Sequence, residues 1–171
     1  EHHNGKAKRQ KIRMRKYIDS DLCFIEIKEK QNSGMTNKTR CTIGDLEPIL
    51  SEKSKEFIKK TTKKDLVLKP VLYNYFQRFT LVNTQRSERV TIDSCLNYKT
   101  NDATKALQNI VVIEVKQEKQ NVQTPIYKAL KANKIRTSSF SKYCIGVANL
   151  VEGIKANRFK ELNLKINNLT N

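Results

Sequence analysis

Ile110-Val111-Val112-Ile113-Glu114-Val115-Lys116-Gln117-Glu118-Lys119 begins as an apolar β-branched run and continues as alternation. In an extended chain Val111, Ile113 and Val115 take one face, and Val112, Glu114, Lys116 and Glu118 take the other. A strand with charges of both signs in front of an apolar face reads in two ways. It is a half-exposed strand of an ordinary sheet, or it lines a polar cavity while its apolar side packs on helices. One strand does not decide between these. Its neighbours do, because several repeat the pattern with Arg or Lys in the charged places.

Upstream, Lys11-Ile12-Arg13-Met14-Arg15-Lys16-Tyr17 puts Arg13, Arg15 and Tyr17 on one face and Ile12 and Met14 on the other. A turn at Asp19-Ser20-Asp21 leads to Cys23-Phe24-Ile25-Glu26-Ile27-Lys28-Glu29-Lys30. There Glu26, Lys28 and Lys30 oppose Cys23, Ile25 and Ile27. After a polar loop holding Gly34, Lys38-Thr39-Arg40-Cys41-Thr42-Ile43 carries Lys38, Arg40 and Thr42 together. Further strands are expected over Leu72 to Asn83 and Glu88 to Leu96, joined by the turn Asn83-Thr84-Gln85-Arg86. In the first, Phe76, Arg78 and Thr80 alternate with Gln77, Phe79 and Leu81; in the second, Arg89, Thr91 and Asp93 alternate with Val90 and Ile92.

The period changes to helical in three places. Leu50, Phe57 and Ile58 predict a helix from Glu47 to Lys60, with Pro48 in its first turn and Asp45 as cap. Thr124-Pro125 opens a short helix through Ala132, and Ser138-Ser139-Phe140-Ser141 starts one containing Lys142, Tyr143, Ile145 and Val147. The tail, Ala156 to Asn171, is basic and weakly helical. Residues 97–109 read as a loop. At the amino end Asn4-Gly5 is a turn signal, and His2 and His3 read as neither ligands nor catalysts.

The chain has 34 Lys+Arg against 17 Asp+Glu among 171 residues, a formal charge of +17. One domain of this length buries a sizeable core. The excess implies a polyanionic partner. No apolar run reaches the length of a membrane span and no signal peptide is visible, so a cytoplasmic setting is expected. Cys23, Cys41, Cys95 and Cys144 lack metal-ligand spacing and read as reduced core residues.

Cations on strands are informative, because nucleic-acid proteins more often carry them on a helix, loop or arm. Arg and Lys repeated along one face of antiparallel strands point to a cupped or closed sheet with a cationic interior. They repel each other unless anions or acidic groups sit among them. Glu26, Glu114 and Glu118 supply acidic groups, and two of them could also hold a divalent cation. Lys30, Lys119 and Arg86, and the cluster Lys59-Lys60 and Lys63-Lys64, read as solvated surface. Glu114 alone would serve equally as an ion-pair partner or a metal ligand. Lys142 at a helix start is disfavoured by the helix dipole, which argues for a function there.

Arg13-Met14-Arg15, Phe24-Ile25-Glu26-Ile27-Lys28, Lys38-Thr39-Arg40, Glu88-Arg89-Val90-Thr91-Ile92-Asp93, Ile113-Glu114-Val115-Lys116 and Ser139-Phe140-Ser141-Lys142-Tyr143 occur in the order seen in the VTC domain. The chain therefore resembles that polyphosphate-polymerase domain, one of the triphosphate tunnel metalloenzymes and a relative of the CYTH proteins, and is closest in look to its bacterial members. The resemblance implies an α+β fold: an antiparallel β-barrel or tunnel with helices packed outside, as a single domain over 1–171. It implies that Arg13, Arg15, Lys28, Lys38, Arg40, Arg78, Arg89, Lys116 and Lys142 bind phosphate. Of these, Arg13, Arg15, Lys28, Arg78, Arg89 and Lys142 would be catalytic. Glu114 would hold Mn²⁺ or Mg²⁺, and the γ-phosphate of ATP would pass to a polyphosphate chain. Such transfer needs positioning and charge neutralisation more than a covalent nucleophile.

Two departures accompany the resemblance. Phe76-Gln77-Arg78 stands where the family usually reads Tyr-x-Arg, with Tyr75 one place earlier, so either a hydroxyl that would touch a phosphate is missing or the strand carries a bulge. The family also begins with a further strand bearing a phosphate-binding lysine, and this chain is expected to lack it. Three functions follow as expectations: a metal-dependent phosphotransferase, with triphosphatase as its hydrolytic variant; a non-catalytic polyphosphate-binding module; and a basic nucleic-acid-binding domain, which the placement of charge disfavours.

Overall fold

A computed structural model of the chain describes residues 2–85, 87–119 and 121–170. They fall into two compact units, Glu1–Val71 and Leu72–Asn171.

The first unit is an antiparallel meander of β1 (Arg9–Tyr17), β2 (Leu22–Lys30) and β3 (Thr36–Ile43), in that order across the sheet. Gly34, at φ +85°, makes the turn between β2 and β3, where its N–H bonds the Gln31 carbonyl. The alternation read from the sequence is realised. Ile12, Met14, Cys23, Ile25, Ile27, Cys41 and Ile43 form one face, and helix α1 (Glu52–Thr62) lays Phe57 and Ile58 against it. Cys23, Ile25, Ile27 and Ile58 are fully buried. Arg13, Arg15, Glu26, Lys28, Lys38 and Arg40 occupy the opposite face, as the two-residue period of a strand requires.

Helix α1 starts five residues later than the apolar spacing suggests. Ser51 is its cap, accepting from the Ser54 N–H, while the Glu47 carboxylate accepts from the Ser51 N–H at 2.9 Å. Asp45 turns back on the Leu46 N–H and pairs with Lys16 instead of capping. Pro48 thus lies ahead of the helix. Lys63, at φ +57°, ends it in the left-handed conformation.

The second unit is built on β5 (Glu88–Lys99). Strand β4 (Tyr73–Asn83) runs along one edge of it, and the other edge is shared by β6 (Thr104–Leu107) and β7 (Val112–Gln117). β6 lies inside the stretch read as a loop. It is four residues long, too short to show a period, and is set by a tight turn in which the Thr100 N–H bonds the Ala103 carbonyl. Helices α2 (Pro125–Ala132) and α3 (Lys142–Leu150) begin where Thr124-Pro125 and Ser141 place them. A short 3₁₀ turn (Asn157–Phe159) leads into α4 (Lys160–Thr170).

One irregularity governs this sheet. Tyr75 pairs with Asn97 and Gln77 with Ser94, so Phe76 faces two residues of β5, Cys95 and Leu96. This is a β-bulge, with Cys95 at φ +52°. The extra residue shifts the phase of β5, and Leu96 and Tyr98 join the face that carries Asp93. Helix α3 packs there, over Leu96, Tyr98, Leu107 and Ile110. In this unit, then, the helix covers part of the same face as the charges, where a helix on the opposite, apolar face was expected. Phe79, Leu81 and Ile113 on that opposite face stay exposed. Both sheets are antiparallel and the class is α+β; among the described residues no strand path closes into a barrel. No described helix is long and apolar enough to cross a membrane. All four cysteines are free, Cys23 and Cys144 buried and Cys95 exposed, so Cys95 is not the core residue expected. Arg86 lies outside the described residues.

Candidate functional site

Each unit carries a basic cluster on a strand face, and each cluster is centred on one buried carboxylate. In the first unit the register aligns Arg13, Glu26 and Arg40 on one rung of β1, β2 and β3, with Lys11, Lys28 and Lys38 on the next. Glu26 is 2% exposed. Its Oε2 accepts from the Arg13 guanidinium at 2.6–2.7 Å, its Oε1 pairs with Lys38 Nζ at 2.5 Å, and Arg15 lies 3.9 Å away. Burial alone would push the Glu26 carboxyl up. The hydrogen bonds and charges of Lys38, Arg13 and Arg15 outweigh it and hold the group down at about 2. Burial and the neighbouring Arg15 push Arg13 below its ordinary value, and Glu26 pulls it back up. Arg15 also donates to the Tyr17 hydroxyl at 2.7 Å, and Arg40 sits over the Phe24 ring at 4.9 Å. Lys28 is exposed on this face.

In the second unit three rungs cross β4, β5 and β7: Arg78, Asp93 and Val112; Thr80, Thr91 and Glu114; Val82, Arg89 and Lys116. Asp93 is 1% exposed and takes both arms of the Arg78 fork, at 2.6 and 2.7 Å. Lys142, the first residue of α3, pairs with the same carboxylate. Burial opposes ionisation of Asp93, but Arg78 and Lys142 prevail and its pKa lies below the ordinary value. The Phe76 ring lies under both cations, 5.2 Å from Arg78 and 4.8 Å from Lys142. The ring thus offers a cation–π platform where a tyrosine would add a hydroxyl.

At the other end of this face Arg89 and Lys116 stand opposite each other and line an open hollow of about 640 Å³, with Asn83, Gln85, Glu88 and Glu118. Glu114, one rung in, is half exposed and lies 3.4 Å from Lys116. Its inward placement was expected from burial of the apolar face at Ile113 and Val115, but Ile113 is exposed. Glu114 instead keeps the company of the charges by register alone.

The structure therefore brings together Arg13, Arg15 and Lys38 around Glu26, with Lys28 and Arg40 on the same face. It brings Arg78 and Lys142 together at Asp93, and Arg89, Glu114 and Lys116 along the rest of that face. Glu26 and Asp93 were not among the expected site residues, yet each is the hub of its cluster. Their signal was present: each lies in phase with the basic residues of its own strand. Among the described residues no three His, Cys, Asp or Glu side chains group to enclose a metal.

A family model for the VTC domain matches residues 1–151. No curated protein and no solved structure gives a match.

Proposed function

The chain belongs to the VTC domain family, whose model spans residues 1–151 of 171, and on that premise we propose that it binds ATP and polyphosphate on its cationic strand faces and transfers the γ-phosphate to a polyphosphate chain. Family membership carries a polyphosphate-related function in general. The observation that supports the finer reading is the pair of clusters whose cations are held in place by a buried carboxylate. Such cations are pre-organised for a phosphate rather than spread as a solvated surface. In this proposal the strand faces line a tunnel of the triphosphate tunnel metalloenzyme kind, and residues 1–171 act as a single domain.

Each basic residue has a task of position and charge. Arg78 and Arg13 have their Nε edges taken by Asp93 and Glu26 and would offer phosphate oxygens their remaining guanidinium N–H groups, while Lys142 and Lys38 act as point charges. Arg15, Lys28, Arg40, Arg89 and Lys116 extend the positive field along the faces. Glu114 is the residue that would hold Mn²⁺ or Mg²⁺. A single accessible carboxylate suits an ion that takes most of its shell from phosphate oxygens and water. Glu26 does not suit one, because Arg13, Arg15 and Lys38 already surround it. The ion, when bound, offsets negative charge on the phosphoryl oxygens during transfer.

Phe76 at the position of the family's usual tyrosine favours a second reading, a polyphosphate-binding module without turnover. Two measurements separate the possibilities. Tripolyphosphate should bind more tightly than an oligonucleotide at physiological salt; the reverse order would indicate a nucleic-acid protein. ADP should appear from ATP with Mn²⁺, and Glu114→Gln should abolish it while tripolyphosphate still binds without metal. Unchanged turnover in Glu114→Gln would reduce Glu114 to an ion-pair partner.

A further inference from the structure

Thr91 sits at the middle of the charged face of β5, on the rung between the two basic ones. It is 5% exposed, and among the described residues its Oγ1 is buried with no hydrogen-bond partner. A hydroxyl buried without a partner opposes folding. Its cross-strand neighbours, Thr80 and Glu114, are both exposed, so the face is open on either side of it. Along the strand it lies two residues, about 7 Å, from Asp93 and the same distance from Arg89. A linear phosphate engaging Arg78 and Lys142 at one end and Arg89 and Lys116 at the other must cross the Thr91 rung.

We propose that Thr91 is a ligand-binding residue whose hydroxyl donates a hydrogen bond to a phosphoryl oxygen of a linear triphosphate lying along this face. The inference rests on the polyphosphate reading above and adds a neutral donor between the two cationic ends. A cation there would attract any anion, whereas a hydroxyl at a fixed rung rewards a chain with an oxygen at that point. Thr91 thereby contributes to selection of a linear phosphate over a single phosphate group.

The test is Thr91→Val in the full chain, with Thr91→Ser beside it. Val keeps the shape and deletes the hydroxyl; Ser keeps the hydroxyl. Binding of tripolyphosphate and of inorganic phosphate is followed by calorimetry without metal, and thermal unfolding is followed without added anion. Thr91→Val is expected to bind tripolyphosphate about tenfold more weakly, as for loss of a hydrogen bond to a charged group. Inorganic phosphate should bind as before, and the thermal midpoint should stay level or rise, by about 2–4 °C at most. Thr91→Ser should bind tripolyphosphate like the wild type. Wild-type tripolyphosphate affinity in Thr91→Val overturns the inference. So does a lower midpoint or failure to fold in Thr91→Val, since the hydroxyl would then serve the fold. A wild-type chain that does not bind tripolyphosphate overturns the functional reading itself, and that result is visible before either variant is compared.

Discussion

Replacing Glu26 by Gln removes one charge from the centre of the first cluster and leaves the shape. A carboxyl held at about 2 instead of 4.5 carries roughly 3 kcal/mol of folding free energy, at about 1.4 kcal/mol per tenfold change in proton affinity. Arg13 and Lys38 keep 34% and 40% of their side chains in water, so solvent screens part of this and about 2 kcal/mol is expected at pH 7. The sign follows from the depressed pKa. The stabilisation is fully present above about 4.5 and is lost as pH falls toward 2, when the folded protein also takes up the proton. Urea unfolding followed by circular dichroism at a series of pH values measures it. Glu26→Gln should be about 2 kcal/mol less stable at pH 7, and the gap should narrow below pH 4.5 and nearly vanish near pH 2. A gap of the same size at both ends would refute the reasoning, because the loss would then not come from an ionised carboxylate.

Two further substitutions probe the second unit. Asp93→Asn leaves Arg78 and Lys142 without their shared charge, and a loss of roughly 2 kcal/mol is expected at pH 7; because the Asp93 pKa is also depressed, that loss should shrink as pH falls below the ordinary carboxylate range. Gly146→Ala would place a methyl group 2.5 Å from Leu72 Cδ2 and 2.6 Å from Tyr98 Cδ1. Tyr98 is 1% exposed and cannot swing away, so a lower melting temperature, equivalent to about 1–3 kcal/mol, should outweigh the gain in helix propensity.

The first unit was nearly transparent in the sequence. Its three strands alternate without a break, so the phase of Ile25 and Ile27 against Glu26 and Lys28 fixes which face meets α1 and which carries charge. What the alternation did not convey was rank among the charged residues. Glu26 reads as one acid among many cations, and its central place depends on register: Arg13 on one side, Arg40 on the other, and Lys38 reaching diagonally. Register is set by two turns, which composition describes only loosely. The start of α1 was misplaced for a related reason. Capping is decided by which side chain reaches which N–H, and Asp45, Glu47 and Ser51 all compete there.

The second unit was legible up to Asp93 and misleading after it. Val90, Ile92, Ser94 and Leu96 form an unbroken alternating set, which places Leu96 behind the charged face, and Tyr98 falls in the stretch read as a loop. The bulge at Cys95 breaks that set. Tyr75, one place ahead of the family's tyrosine, pointed to an irregularity at this level, but the extra residue lies in β5 and not in β4, and cysteine has no special tolerance of a positive φ to mark it. Its consequences reach the candidate site. With Leu96 and Tyr98 turned onto the charged face, α3 can lie over them and bring its first residue, Lys142, to Asp93. The same packing makes Asp93 the border between a dry core and an open cationic face, which is why it is buried and ionised together. A carboxylate in that position holds Arg78 and Lys142 at fixed places without being exposed to the phosphate they would bind. The bulge is thus what converts an alternating strand into one that is apolar core at one end and cationic surface at the other.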